Sequence, residues 1–188
     1  MKFNFTESQN KLLADLEVLQ VQGVYPSITR DIAEYIFDLL KKKRPQHLLE
    51  VGSCVGYSTI WLGLAAKDFG SSIEAIEWTP ERFEKLKENI EIAELNNIIT
   101  AYNGDAKVII PELKSNYDFV FIDAMKKEYL NYLQLLEPKL LPGALIIADN
   151  ILSHREKLLD FVQYVKNNPN YTSEIVPLGA GLLVAKYK

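Results

Sequence analysis

The sequence predicts an α/β fold: a mostly parallel seven-stranded sheet, helices on both of its faces, and an antiparallel hairpin at the C-terminal end. Three observations predict it. From residue 47 onward, short apolar runs alternate with stretches of helical periodicity, the pattern of strands joined by crossover helices. The first junction, Leu48-Leu49-Glu50-Val51-Gly52-Ser53-Cys54-Val55-Gly56-Tyr57-Ser58, reads as strand, tight turn, helix. The last two runs, 172–177 and 181–187, are joined around Gly179-Ala180-Gly181. That linker is too short for a crossover helix, so the pair must be antiparallel.

The 188 residues are read as one domain, with 1–45 as an N-terminal helical extension. A net charge of −4 gives no support to a globally basic nucleic-acid binder. Cys54 is the single cysteine, which excludes an internal disulfide and a cysteine-cluster metal site and fits a reducing cytoplasm. Residues 1–10 are polar with no apolar core of a signal peptide, and no apolar run approaches membrane-spanning length. A cytoplasmic domain with no membrane partner is expected.

Each element has its own signal. Thr6-Glu7-Ser8-Gln9 fits a capping box for a helix running to about residue 22, stopped by Gly23, with Pro26 in the loop. Its Leu12, Leu13, Leu16 and Leu19 form an apolar stripe that a small domain need not cover, and a symmetric homodimer contact is expected there. A helix over 29–43 buries Ile32, Ile36, Phe37 and Leu40. Lys41-Lys42-Lys43-Arg44 closes it, and these cations complement the helix dipole rather than form a nucleic-acid patch. Strand 47–51 leads to helix 57–69. Strand 71–77 leads to helix 80–95, with Thr79 as N-cap and Pro80 at the first helical position. Strand 98–102 leads to a short helix over 106–113, strand 118–122 to helix 127–140, and strand 144–148 to helix 154–167.

Ligands of such sheets bind outside the carboxyl ends of the strands, so each strand end is a candidate site. The first gives Glu50 and the turn with Gly52 and Gly56, where missing Cβ atoms permit a sharp turn and close approach. The spacing is E-x-G-x-x-x-G rather than the G-x-G-x-x-G of dinucleotide binders. Glu50 would repel a phosphate and welcome a cationic amine or a sulfonium. The second gives Glu77, an acid able to accept from both hydroxyls of a ribose, and Trp78, which either stacks on a purine or packs on the following helix. The third gives Asp105, either an acceptor for an exocyclic amine, with the Ala106 backbone reading the ring edge, or an N-cap; both roles can hold together. The fourth and fifth give Asp123-Ala124-Met125-Lys126 and Asp149-Asn150. Neighbouring strands lie about 4.8 Å apart, so Asp123 and Asp149 can converge. With Asn150 they make a hard oxygen set suited to Mg²⁺; alternatively they are solvated helix caps. Lys126, one turn past Asp123, is either a surface charge or a base. Tyr129 and Tyr132 border this region or pack in the core. His154 lies near the same strand ends, His47 opens a strand, and Cys54 reads as a small packing residue.

Taken together, Leu49-Glu50-Val51-Gly52 through Gly56-Tyr57-Ser58, then Glu77, Gly104-Asp105-Ala106, Phe121-Ile122-Asp123-Ala124-Met125-Lys126-Lys127-Glu128-Tyr129 and Asp149-Asn150 resemble the cation-dependent O-methyltransferases, such as the catechol and caffeoyl-CoA enzymes and their small bacterial relatives. The resemblance covers roughly residues 24–188. It implies a class I, Rossmann-like methyltransferase fold, S-adenosylmethionine as donor and Mg²⁺ or another divalent cation. It implies Glu50, Gly52, Ser53 and Ser58 around the donor, Glu77 on the ribose, Ala106 at the adenine, Asp123, Asp149 and Asn150 on the metal, and Lys126 as base; Gly56, Trp78 and Asp105 join the donor site on the strand-end reading above. The expected acceptor is a catechol-like or other small hydroxylated molecule. The alternatives are a tRNA hydroxyuridine, and a donor-binding protein without turnover. The chain departs from the plant pattern at Met125, which replaces an acid, and in the short stretch after Asn150.

Overall fold

Residues 3–188 are described by the structure, a computed structural model. Its strands are β1 (His47–Val51), β2 (Ser72–Glu77), β3 (Ile99–Asn103), β4 (Tyr117–Ile122), β5 (Leu140–Ala148), β6 (Tyr171–Val176) and β7 (Leu182–Tyr187). They form one sheet in the order β3-β2-β1-β4-β5-β7-β6. The first five strands pair in parallel; β7 is antiparallel to both β5 and β6, as the short glycine linker requires. Strand order reverses between β1 and β4, which opens a crevice at their carboxyl ends.

Helices α1 (Glu7–Val21), α2 (Arg30–Lys43), α3 (Tyr57–Ala66) and α4 (Pro80–Ile92) cover one face, where they pack with Leu48, Phe119, Phe121 and Ile147 of the strands. Helices α5 (Ala106–Glu112), α6 (Tyr129–Leu136) and α7 (Leu159–Asn167) cover the other, with Leu49, Val51, Val120, Ile122 and Ile146. Successive strand residues point to opposite faces and both faces are buried, so the central strands read as continuous apolar runs. No helix among the described residues is long and apolar enough to cross a membrane.

The capping box of α1 is present in both directions between Thr6 and Gln9. Gln9 also donates to the Ala93 carbonyl at 2.8 Å, tying α1 to the end of α4. Leu12, Leu13 and Leu16 are buried in the chain's own core, and Leu19 packs against it. The leucine stripe is therefore covered from within and is not free for the symmetric contact the sequence suggested. The cations closing α2 do local work: Lys41 pairs with Asp68 at 2.8 Å and Lys43 donates to the Gly143 carbonyl at 2.7 Å.

Other boundaries moved for identifiable reasons. Thr79 stands at the N-cap of α4, but its hydroxyl makes no capping bond. α4 stops at Ile92, because Glu94 takes a positive φ of 59° that turns the chain out of the helix. The helix read over 127–140 is α6 flanked by 3-10 turns at Lys126–Glu128 and Glu137–Lys139. α7 begins at Leu159 rather than 154. The backbone N–H groups of Ile151, Leu152 and Ser153 donate to the carbonyls of Gly181 and Ala180, so the hairpin turn holds residues 151–153, and turns continue from there to 158.

Candidate active site

A cavity of about 350 Å³ opens at the switch point. Its wall takes Gly52, Ser53 and Cys54 after β1, Glu77 and Trp78 after β2, Asp105 and Ala106 after β3, and Asp123 to Lys126 after β4. Tyr57 and Ser58 of α3 and Pro26 and Ser27 of the α1–α2 connection complete it. Four of the five strand ends singled out in the sequence thus line one space; the fifth, Asp149-Asn150, does not line it.

At one end the polar groups are fixed by backbone. Glu77 accepts from the N–H of Cys54 and of Thr79, each at 2.8 Å, so its carboxylate is held in one orientation. Asn103 donates to the Glu77 carbonyl at 2.9 Å and steadies the strand end. Asp105 caps α5 through the Lys107 N–H at 2.9 Å and also lines the cavity. Trp78 lies on the wall and is 58% exposed, an open aromatic face rather than a side chain packed under α4. No side chain caps the start of α3, where Tyr57 and Ser58 meet the cavity, so its first N–H groups are left without a side-chain partner.

The two glycines of the turn have different reasons. Gly52 has φ 94°, and a Cβ there would lie 2.3 Å from the Asp123 carbonyl oxygen. The close neighbour is the backbone after β4, so Gly52 seats the two strand ends side by side. Gly56, at φ 97°, is the N-cap of α3; its Cβ would meet Leu86, and it lies off the cavity wall.

Glu50 is also off the wall. It is fully buried beneath the turn, accepts from the Thr59 hydroxyl, and leaves Oε1 without a partner among the described residues. Burial pushes its carboxyl up to about 7, against the pull of the Ser58, Thr59 and Ser53 hydroxyls. Burial likewise pushes the Cys54 thiol up to about 11, which suits a packing residue.

At the other end carboxylates crowd together. Ile122 pairs with Ala148, so Asp123 and Asp149 leave β4 and β5 as neighbours. The Asn150 amide donates to Asp123 at 3.1 Å and to Asp149 at 2.8 Å, and Lys126 Nζ donates to Asp123 at 2.9 Å. Asn150 reaches both acids from a left-handed backbone, φ 70°. Asp149 is buried, and its Oδ1 has no partner among the described residues. Burial first, and the charge of Asp123 second, push its carboxyl up to about 7. The buried Tyr129 hydroxyl also lacks a partner and is raised well above its ordinary range by burial and these two acids.

An orphaned carboxylate oxygen beside a second carboxylate fits a hard divalent cation. No group of three His, Cys, Asp or Glu residues able to hold a metal occurs among the described residues, so the third protein donor would be the Asn150 amide oxygen. Its nitrogen faces the acids now, and turning the amide over presents the oxygen. Asp123 and Lys126 line the cavity; Asp149 and Asn150 stand behind them.

His154 bonds the Ser153 hydroxyl at 2.9 Å and lies off the wall, and His47 bonds Ser72 at 3.0 Å at the start of β1. Met125 lines the cavity and is 44% exposed, and Tyr132 lines it too. Sequence reasoning missed Ser27 and Arg82 as wall residues. Arg82 lies in the first turn of α4, five residues after Glu77. Ser27 carries no local signal.

A family model described as a methyltransferase domain matches residues 49–151, more than half of the chain. A catechol O-methyltransferase of Niastella koreensis is 32% identical over 130 residues, covering 67% of this chain and 58% of the relative. Caffeoyl-CoA O-methyltransferase 2 of Eucalyptus globulus is 34% identical over 146 residues, covering 72% and 59%. The chain therefore spans a little over half the length of these curated relatives. Among solved structures, the O-methyltransferase TomG of Streptomyces achromogenes, in complex with SAM, superposes with a TM-score of 0.86 at 19% identity, over 100% of this chain and 92% of that one.

Proposed function

The chain belongs to the methyltransferase-domain family, and on that premise we propose that it is an S-adenosylmethionine-dependent, Mg²⁺-assisted O-methyltransferase of a catechol-like or other small hydroxylated acceptor. The observation that carries this reading is Asp123 on the wall of the cavity with Asp149 next to it on β5, one buried oxygen of Asp149 having no partner among the described residues, while the other end of the cavity holds a fixed Glu77 and an open Trp78.

S-adenosylmethionine supplies an electrophilic methyl group on a sulfonium. In this reading Glu77 accepts from the ribose hydroxyls, Trp78 stacks on the adenine, and Asp105 and Ala106 border its edge. Gly52, Ser53 and Ser58 lie along the amino-acid portion. Glu50 acts from beneath the turn, holding Thr59 and the start of α3 in place. Mg²⁺ held by Asp123, Asp149 and Asn150 would supply charge that lowers the pKa of an acceptor hydroxyl. With its Nζ in the neutral form, Lys126 would take that hydroxyl's proton, while the acceptor oxygen forms its bond to the methyl carbon and the carbon–sulfur bond breaks, releasing the neutral thioether. Alignment along that line is the wall's contribution. A homodimer is part of the proposal, through surfaces other than the covered leucine stripe; Val18, Val21 and Val24 are exposed.

The test is transfer of a labelled methyl group to a panel of catechols and to total tRNA, with and without Mg²⁺. Cation-dependent labelling of a small catechol is expected. Labelling of tRNA alone would move the acceptor to a nucleic acid, and donor binding without transfer to any acceptor would leave a binding protein.

A further inference from the structure

The α1–α2 connection is part of the cavity wall, yet no regular structure holds it. α1 ends at Val21, and Gly23 turns the chain at φ 72° in open space, where a Cβ would meet nothing within 4 Å. Residues 24–29 then run to α2 without helix or strand, placing Pro26 and Ser27 on the cavity.

Two side chains one turn apart on α1 pin this segment. Gln20 donates its amide to the carbonyls of Ser27 at 2.7 Å and Ile28 at 3.2 Å. Glu17 accepts from the Tyr57 hydroxyl at 2.6 Å and from Arg30 Nε at 3.0 Å. Tyr57 is itself a wall residue in the first turn of α3, and Arg30 opens α2 with its guanidinium 5.7 Å over the Trp61 ring. Glu17 and Gln20 thus join α1, α2 and α3 around one edge of the cavity.

Their bonds are not what docks α1. Leu12, Leu13 and Leu16 already bury α1 in the core. The Glu17–Arg30 pair is 26% and 49% exposed, and ion pairs so open to solvent add little to folding. What these bonds do fix is the backbone of 27–28 and the ring of Tyr57. We propose that Glu17 and Gln20 are positioning residues of the donor site: they hold the 23–29 segment and Tyr57 as one wall, so that docking of the N-terminal helix sets donor affinity. This rests on the donor reading given above.

Gln20→Glu keeps the side chain's size and replaces its N–H donor with oxygens facing two carbonyls. Glu17→Gln removes the charge beside Arg30. The full chain carrying each change is titrated with S-adenosylmethionine by calorimetry, and its ligand-free amide exchange over 24–29 is followed. We expect donor Kd to rise about 5–10-fold, the loss of one or two hydrogen bonds. Exchange over 24–29 should quicken, with a drop of only about 2–4 °C in the thermal midpoint. A lowered midpoint with donor Kd unchanged in the folded fraction would make the two residues merely structural and overturn the proposal. So would unchanged Kd and unchanged exchange. Failure of the unmodified chain to bind donor at all would overturn the donor reading and this proposal with it, a result distinct from either variant outcome.

Discussion

The two halves of the cavity are built on opposite electrostatic plans. In the β2–β3 half, acids are paired with the chain's own backbone: Glu77 with two N–H groups, Asp105 with one. In the β4–β5 half, Asp123 and Asp149 leave neighbouring strands, one oxygen has no partner among the described residues, and the Asn150 amide and the Lys126 ammonium hold the pair. A carboxylate that already accepts several hydrogen bonds is preorganised for a neutral, hydroxyl-bearing ligand. A crowded, desolvated pair with a single ammonium beside it has less positive charge than its two carboxylates call for. The same sheet therefore offers a finished cradle beside an unfinished one.

The contrast is tested hardest by removing cations. Exhaustive EDTA treatment, and separately Asp149→Ala, should abolish methyl transfer while leaving the donor Kd by calorimetry almost unchanged. Activity that survives chelation would make Asp123 and Asp149 ordinary strand-end acids and erase the difference between the halves. Lys126→Ala comes next. A lost general base lowers rate by about 10²–10⁴-fold, and higher pH should partly restore it as the acceptor ionises unaided. A variant with full rate at neutral pH would leave Lys126 as a counter-charge to Asp123 and nothing more. On the cradle side, Glu77→Ala removes charge-assisted bonds of roughly 1.5–3 kcal/mol. Donor affinity should weaken accordingly, with the metal half untouched; equal affinity by calorimetry would take Glu77 out of the site.

How much of this was legible in the sequence depended on range. The turn after β1 was readable because its signals are local: an apolar run, an acid, two glycines, a helical period. The meeting of Asp123 and Asp149 was readable because alternating strands and helices imply parallel neighbours, and parallel neighbours end together. Glu50 was visible, but not that it lies beneath the turn, since that depends on where α3 places Thr59. The true start of α7 was hidden because residues 151–153 bond to a turn far along the chain. The leucine stripe of α1 showed an apolar face without showing what covers it. Ser27 and Arg82 reach the wall through tertiary placement that no local pattern announces.

The smallest effect on turnover is expected at Glu50, which sits beneath the cradle yet behaves electrostatically like the crowded half. Its folded carboxyl is raised to about 7 from an ordinary 4.5. Below the ordinary value it is protonated in both folded and unfolded chains, and its contribution to stability is complete. As pH rises through the window from 4.5 to about 7, the unfolded chain releases the proton first, so stability falls; above that window the loss is complete. A shift of this size corresponds to about 3 kcal/mol. Asp149 moves in the same direction, so the slope of the unmodified chain is not Glu50's alone. Glu50→Gln isolates it. The variant is neutral at every pH and keeps nearly the same shape, so urea midpoints from pH 4 to 8 should fall less steeply than those of the unmodified chain. The two curves should lie close together near pH 4 and separate toward pH 8, with the variant the more stable. Parallel curves would mean that Glu50 stays ionised on folding, satisfied by Thr59 and its neighbours, and that it belongs with Glu77 among the paired acids.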